Sequence, residues 1–367
     1  MGMRKCRGCG FPYWLSRLIS WNENGTITMK ANPNYRVVII EADFLTDLFS
    51  RIEESMGLSI SHLVFEAQRN AAVETIGSQL ARFPYTLGRW GPNRRLAVQA
   101  FCHLSSWLGQ AYARPLRYRP GRGGEAVIRN PYNRELMAAI VVGAFESLER
   151  RPFEYRWKEQ EGNEVIVVRA AESRPEISQR MALEYPPILP GHFYMPRCPS
   201  CGVPRELAHL RWDEREGTIT DTRRDVRVVF LDGFVPSVVF RELERELGSD
   251  IYPLIIQAEK DYTHRRLKDL GVSGHLGGVL PRRERESIYE NVLATLPPRG
   301  QGNPVQYEYG FEGLTVTVEN PYNEHLLAGQ MAALFEAAEG KEAEISWYSP
   351  QPSSVVFNAR ARERQGA

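Results

Sequence analysis

The sequence of 367 residues predicts an α+β fold made of two tandem copies of a helices-on-antiparallel-sheet domain, each preceded by a CxxC knuckle. Three observations predict it. First, CRGCGFP at Cys6 returns as CPSCGVP at Cys198. Second, WNENGTIT from Trp21 returns as WDEREGTIT from Trp212, NPYNRELMA from Asn130 as NPYNEHLLA from Asn320, and Trp157 as Trp347, all 190 to 192 positions apart. A period of that size means duplicated domains and not a solenoid of short repeats. Third, each copy runs strand, helices, strand pair, helix, strand pair, an order that packs helices on an antiparallel sheet. Residues 1-170 then hold the first knuckle and domain, 171-197 a Pro-rich linker, and 198-360 the second knuckle and domain.

The elements follow in order. After each knuckle a turn glycine opens GTITMK or GTITDT, and YRVVII or VRVVFL reads as a buried strand. Leu45, Leu48, Phe49, Ile52 and Met56 recur at helical spacing before Gly57, as Val235, Val239, Leu243 and Leu247 do before Gly248, a residue suited to a C-terminal cap. A second helix runs to Gly77 or Gly271. A third carries Leu96, Ala100, Phe101, Leu104 and Leu108, or Ile288, Val292 and Leu296. LRYRPGRGGEAVIRNP and VQYEYGFEGLTVTVENP each read as two strands about a glycine turn. Asn133 and Asn323 cap a fourth helix, and strands through Trp157 and Trp347 close the copies. Pro186, Pro187, Pro190 and Pro196 stiffen the linker into an extended connector, and the charged tail ARARERQGA is expected to fray.

Composition narrows the functional classes. Lys and Arg number 46 against 45 Asp and Glu, a formal charge of +1, so no global field draws the chain to nucleic acid or acidic lipid. The longest apolar run, LMAAIVVGAF from Leu136, is too short to span a bilayer, and MGMRKC lacks a signal-peptide core and the Ser or Thr of a myristoylation motif. A soluble cytoplasmic protein is the expectation. Five cysteines, four in CxxC pairs, fit metal or redox use in a reducing compartment.

A CxxC turn presents two thiolates to one ion, and the following glycine aims backbone amides at the sulfurs. Structural zinc wants four ligands, and each copy supplies two. His209 follows Cys201 by eight residues, but its counterpart in the first copy falls near Arg17, so histidine does not complete both sites. One structural zinc shared by Cys6, Cys9, Cys198 and Cys201 near a pseudo-twofold axis is the simplest solution. A redox CxxC opens a helix, whereas here Gly10, Phe11 and Pro12 or Gly202, Val203 and Pro204 follow, which suits a tight turn. Redox use and separate sites remain the alternatives.

Other chemistry is sparse. Cys102, beside Phe101 and Leu104, reads as a buried, inert thiol. None of the seven histidines (His62, His103, His192, His209, His264, His275 and His325) recurs in both copies. The glycines after Gly121 and Gly271 read as turns, and Arg114, Arg117, Arg119 and Arg122 as a solvated sheet face, since the second copy has VQYEYG there. The doubled NPYN reads as a strand-to-helix turn with an Asn cap.

LVFEAQRNAAVETIG followed by a helix, a hairpin and NPYN running into MAAIVVGAFESLERRPFEYRW, with IIQAEKDYTHRRLKDLG and NPYNEHLLAGQMAALFEAAEG in the second copy, resembles the four-vinyl-reductase domain, also called the hydrocarbon-binding domain. The resemblance implies an α+β fold shared with subunits of vesicle-tethering complexes and a cavity for small apolar ligands between helices and sheet. The chain departs from the family at Gln68 and Glu259, near where many members have glycine, and lacks cysteines in the last strand pair. Two functions follow from the resemblance. One is a non-catalytic binding or sensory/regulatory protein, pinned by zinc, whose partners are a small apolar ligand and a docking protein; its cavity would be lined by Phe49, Ile52, Phe101 and Ile140. The other is a vinyl-reductase-related enzyme or accessory subunit that takes electrons from a partner, since no dinucleotide fingerprint is present.

Overall fold

The computed structural model describes residues 3–82, 86–87, 91, 93–269, 281–310 and 313–362. The first copy comprises α1 (Tyr13–Leu18), β1 (Ile19–Trp21), β2 (Ile27–Met29), β3 (Asn32–Glu41), α2 (Phe44–Met56), α3 (Ser61–Leu80), α4 (Asn93–Trp107), β4 (Tyr112–Arg119), β5 (Gly123–Arg129), α5 (Arg134–Glu149), β6 (Phe153–Gln160) and β7 (Asn163–Ala170). One turn, α6 (Ile177–Arg180), lies in the connector. The second copy repeats the order as β8 (Leu210–Asp213), β9 (Thr218–Asp221), β10 (Val226–Asp232), α7 (Val235–Leu247), α8 (Ile251–Asp269), α9 (Arg282–Leu293), β11 (Asn303–Gly310), β12 (Gly313–Glu319), α10 (Glu324–Glu339), β13 (Ala343–Gln351) and β14 (Ser354–Ala361). The fold is α+β, with helices packed on antiparallel sheets.

The two copies meet through one continuous six-stranded sheet, ordered β1-β2-β3-β10-β9-β8. At its centre β3 and β10 pair antiparallel with Ile39 opposite Phe230. These two are repeat counterparts (230 − 39 = 191), so the register is self-complementary about a pseudo-twofold axis at this pair. YRVVII and VRVVFL are apolar on both faces because both faces are covered. Val37, Ile39, Val228 and Phe230 point to one core, and Val38, Ile40, Val229 and Leu231 to the other, as the period of two requires.

On the second face the helices cross between copies. Phe49 and Ile52 of α2 join a core that also contains Ile251, Ile255 and Tyr262 of α8. This explains a departure from expectation: α2 lies against the opposite copy, so Phe49 and Ile52 fill the shared core while Phe101 and Ile140 line a cavity elsewhere. The flanking four-stranded sheets are ordered β4-β5-β7-β6 and β11-β12-β14-β13. Asn133 and Asn323 cap α5 and α10, accepting from the backbone of Leu136 and Leu326 at 2.9 and 3.0 Å.

Three local readings are corrected. α3 continues past Gly77 to Leu80, and the glycine instead admits Ser147 of α5, whose Oγ would lie 3.3 Å from an added Cβ. Ala359, Arg360 and Ala361 of the supposed tail belong to β14, because β13 pairs with all three and β12 also pairs with Ala359. Leu96 is exposed on α4 and contributes no core contact. Gly271 and the glycine-rich stretch after it lie outside the described residues, as do residues 363–367. The connector is tied down at both ends: Asn70 donates to the carbonyls of Ser178 and Met181 at 2.7 and 2.9 Å, and Leu189 binds Asn24 of one copy and Asn320 of the other.

Candidate metal centre and cavities

Each CxxC motif folds into the same small turn. Cys6 N–H donates to Phe11 O and Gly10 N–H returns to Cys6 O; Cys198 and Val203, Gly202 and Cys198 make the same pair of bonds, all at 2.8 to 2.9 Å. Gly10 and Gly202 both sit at φ 76°, a left-handed backbone that glycine adopts without strain. The two turns face each other. A side chain at Gly8 would meet Cys198 Sγ at 3.1 Å and Ser200 Oγ at 3.3 Å, and Ser200 is the repeat counterpart of Gly8.

The pseudo-twofold axis therefore brings the four thiols together. Cys6 Sγ lies 3.8 Å from Cys198 Sγ and Cys9 Sγ 3.5 Å from Cys201 Sγ, and all four sulfurs fall within 4.8 Å of one another. A tetrahedral ion with metal–sulfur bonds of about 2.3 Å has sulfur–sulfur edges of about 3.8 Å. All four are free thiols, so no disulfide competes for them. Burial pushes the Cys198 thiol up, but N–H groups of Ser200 and Cys201 and the neighbouring thiols outweigh it and bring Cys198 down to about 7. Burial holds the Cys9 and Cys201 thiols above their ordinary value. Crowded thiols cannot all ionise alone, and a divalent cation removes that conflict. His209 is not among the clustered ligands; its Nε2 lies 3.3 Å from Asp221.

Cross-copy contacts around the cluster come in equivalent pairs. Lys5 donates to Trp212 O and Arg197 to Trp21 O. Trp21 Nε1 donates to Pro298 O at 3.1 Å and Trp212 Nε1 to Trp107 O at 2.9 Å. Phe11 makes edge contacts with both tryptophans, its centroid 5.5 and 5.0 Å from theirs. Arg36, buried, donates to the carbonyls of Gly300, Asn320 and Pro321, as Arg227 does to those of Gly109, Gln110 and Asn130. Burial depresses the Arg36 guanidinium to about 10, yet it stays charged at neutral pH.

Each copy also holds a cavity with a carboxylate from the other copy in its lining; the first lies between α3, α4, α5 and the β4–β5 hairpin, the second between α8, α9, α10, the end of β3 and the start of α2. In the first copy the space is about 100 Å³ and its wall is mainly apolar, built from Val98, Phe101, Leu104, Met137, Ile140 and Phe145. It also carries two acids: Asp232 accepts from Tyr35 and from Gln68 at 2.7 Å, and Glu125 accepts from Lys158 at 2.8 Å. Cys102 also lines it, and burial pushes that thiol up to about 12, an inert state near neutral pH. In the second copy the space is about 320 Å³ and carries Glu41, Arg224, Glu259, Tyr262, Arg266 and Arg299. Of these, sequence reading had singled out Glu259 alone, as a departure from the family the chain resembles. Their signal was the difference between copies, because Gln68, Ala71, Thr75 and Leu108 stand where Glu259, Tyr262, Arg266 and Arg299 do.

The chain was compared with protein-family models, with curated proteins and with solved structures. It matches none of them. No helix among the described residues is long and apolar enough to cross a membrane.

Proposed function

We propose that this is a non-catalytic binding protein of sensory or regulatory kind, with one structural zinc on Cys6, Cys9, Cys198 and Cys201 and a small apolar molecule in the first-copy cavity. The observation that carries the reading is that cavity: a mainly apolar wall around about 100 Å³, with its two acids, Asp232 and Glu125, already hydrogen-bonded and its thiol protonated. An apolar void of this order stays dry and takes a small hydrocarbon. The zinc is supported by four thiols at tetrahedral spacing with no position left for water, which is the arrangement of a structural site. Clamping both knuckles fixes the two copies across the central sheet and so holds the opposite copy's carboxylate in the lining of each cavity. Cytoplasmic residence accords with unpaired thiols.

Two measurements on the purified chain test this. Mass spectrometry is expected to find one zinc per chain, lost entirely in the double variant Cys198→Ser, Cys201→Ser; two zincs, or one that survives, would mean independent knuckles, and a disulfide would restore the redox alternative. Toluene is expected to raise Tm in a concentration-dependent way, and Ile140→Trp, which fills the cavity, to abolish the rise. A rise unaffected by that variant would remove the ligand site from the first-copy cavity.

A further inference from the structure

The second-copy cavity has diverged from its counterpart in a directed way. At equivalent positions an apolar or small residue of the first copy is replaced by a charged or polar one: Leu108 by Arg299, Thr75 by Arg266 and Ile140 by Gln330. Two groups there lack partners although they are out of solvent. Glu259 is 5% exposed and its Oε2 accepts and donates nothing, while its Oε1 accepts from Thr263 at 2.9 Å. Arg224 spends Nη1 on Glu41 and Nε on Asp221, and its buried Nη2 is unused. Burial lifts the Glu259 carboxyl well above the usual carboxylate range, which favours its neutral form with a hydroxyl donor. In that form both unused groups are donors, and what they require is an acceptor.

Three guanidinia, Arg224, Arg266 and Arg299, line the space with Glu41, which pairs with Arg224 and Arg266 and accepts from the Tyr262 hydroxyl. Outside the lining Asp221 pairs with Arg224 and Arg299 and Asp43 with Arg266, so each guanidinium is ion-paired and the donor left over is Arg224 Nη2. The apolar part of the lining comes from Ile40, Phe44, Ile288, Val292 and Leu334. A volume of about 320 Å³ lies at the lower end of the range for small organic ligands. We infer that this cavity binds an amphipathic monocarboxylate, its carboxylate accepting from Arg224 Nη2 and from Glu259 and its hydrocarbon body lying on the Ile288 and Val292 side. A planar guanidinium suits a carboxylate, and the apolar wall selects against small inorganic anions.

Calorimetry on the full-length, zinc-loaded protein tests the inference with decanoate, decanol and inorganic phosphate. Decanoate is expected to bind at one per chain and at least tenfold tighter than decanol, with phosphate neither binding nor competing. Arg224→Met is expected to weaken decanoate at least tenfold without changing decanol. Val292→Trp, which fills the apolar end and touches no ion pair, is expected to abolish binding, whereas Ile140→Trp in the other cavity leaves it unchanged. Equal affinity for decanoate and decanol, competition by phosphate, binding that survives Val292→Trp or is lost in Ile140→Trp, or no binding of decanoate would each overturn the inference. Such failures leave the zinc and toluene results untouched, because those concern other residues.

Discussion

His325 shows what burial does to a single titratable side chain here. Its ring stacks on Tyr252 at 3.8 Å and meets Trp347 edge-on at 5.6 Å. Desolvation in this aromatic sandwich lowers its pKa to about 4, against a weaker opposing pull from Glu244. A base depressed in the folded state binds its proton more readily when unfolded, so stability falls as pH drops below about 6.5 and stops falling near 4. The loss is at most about 1 kcal/mol per pH unit once the ring's partial exposure is allowed for. Urea midpoints at pH 7 and pH 4.5 are therefore expected to lie closer together in His325→Phe than in the unmodified chain; an unchanged gap would show that other groups carry the acid sensitivity. His325 has no histidine counterpart in the first copy. Its aromatic neighbours come from α8 and β13, far apart in sequence, and for that reason its environment was not legible there. The same holds for Glu259 and Arg224, whose shared cavity is assembled from both copies.

At the level of elements, the parts with a local cause were legible and the parts with a distant one were not. Helices α2, α3 and α5 and the hairpins followed from periodicity, glycine turns and the Asn caps, all of which act within a few residues. The pairing of β3 with β10 did not follow, since a strand apolar on both faces announces burial without naming its partner. Gly109 and Gly300 illustrate a signal that was present and unread. Both precede glutamine at an offset of 191, both adopt left-handed backbone, at φ 75° and 74°, and both face an isoleucine of the opposite copy. An added Cβ would come within 2.8 Å of Ile219 at Gly109 and within 2.9 Å of Ile27 at Gly300, and closer still to the Val37 carbonyl. Gly109→Ala or Gly300→Ala is expected to cost about 2–4 kcal/mol, from left-handed strain together with overpacking. Gly121→Ala, at φ 68° with open space around it, is expected to cost only the strain, about 1 kcal/mol. Chemical denaturation of the three variants compares the two contributions directly, and equal losses at all three would deny the tight docking of sheet on helix end.

At the scale of the molecule, the sequence repeat is a record of an interface. Many contacts that cross between copies have a mirror: Trp21 with Pro298 and Trp212 with Trp107, Arg36 with Gly300 and Arg227 with Gly109, Ile39 opposite Phe230. Such reciprocity is what an isologous dimer requires, with the same surface meeting itself about a twofold axis. A fragment of residues 1–197 keeps one half of each reciprocal pair, and its own Trp107 and Gly109 carbonyls stand where Pro298 and Gly300 do in the full chain. Alone it leaves the hydrogen-bonding edge of β3 and the inner face of α2 without cover. The fragment is expected to form a dimer with Ile39 opposite Ile39 and one zinc held by Cys6 and Cys9 of both chains, and a chelator is expected to weaken that dimer. Sedimentation at graded concentration, with and without chelator, measures it. A fragment that stays folded as a monomer would mean that each copy completes its own core, and the shared sheet would then be a contact between finished domains and not the centre of a single fold.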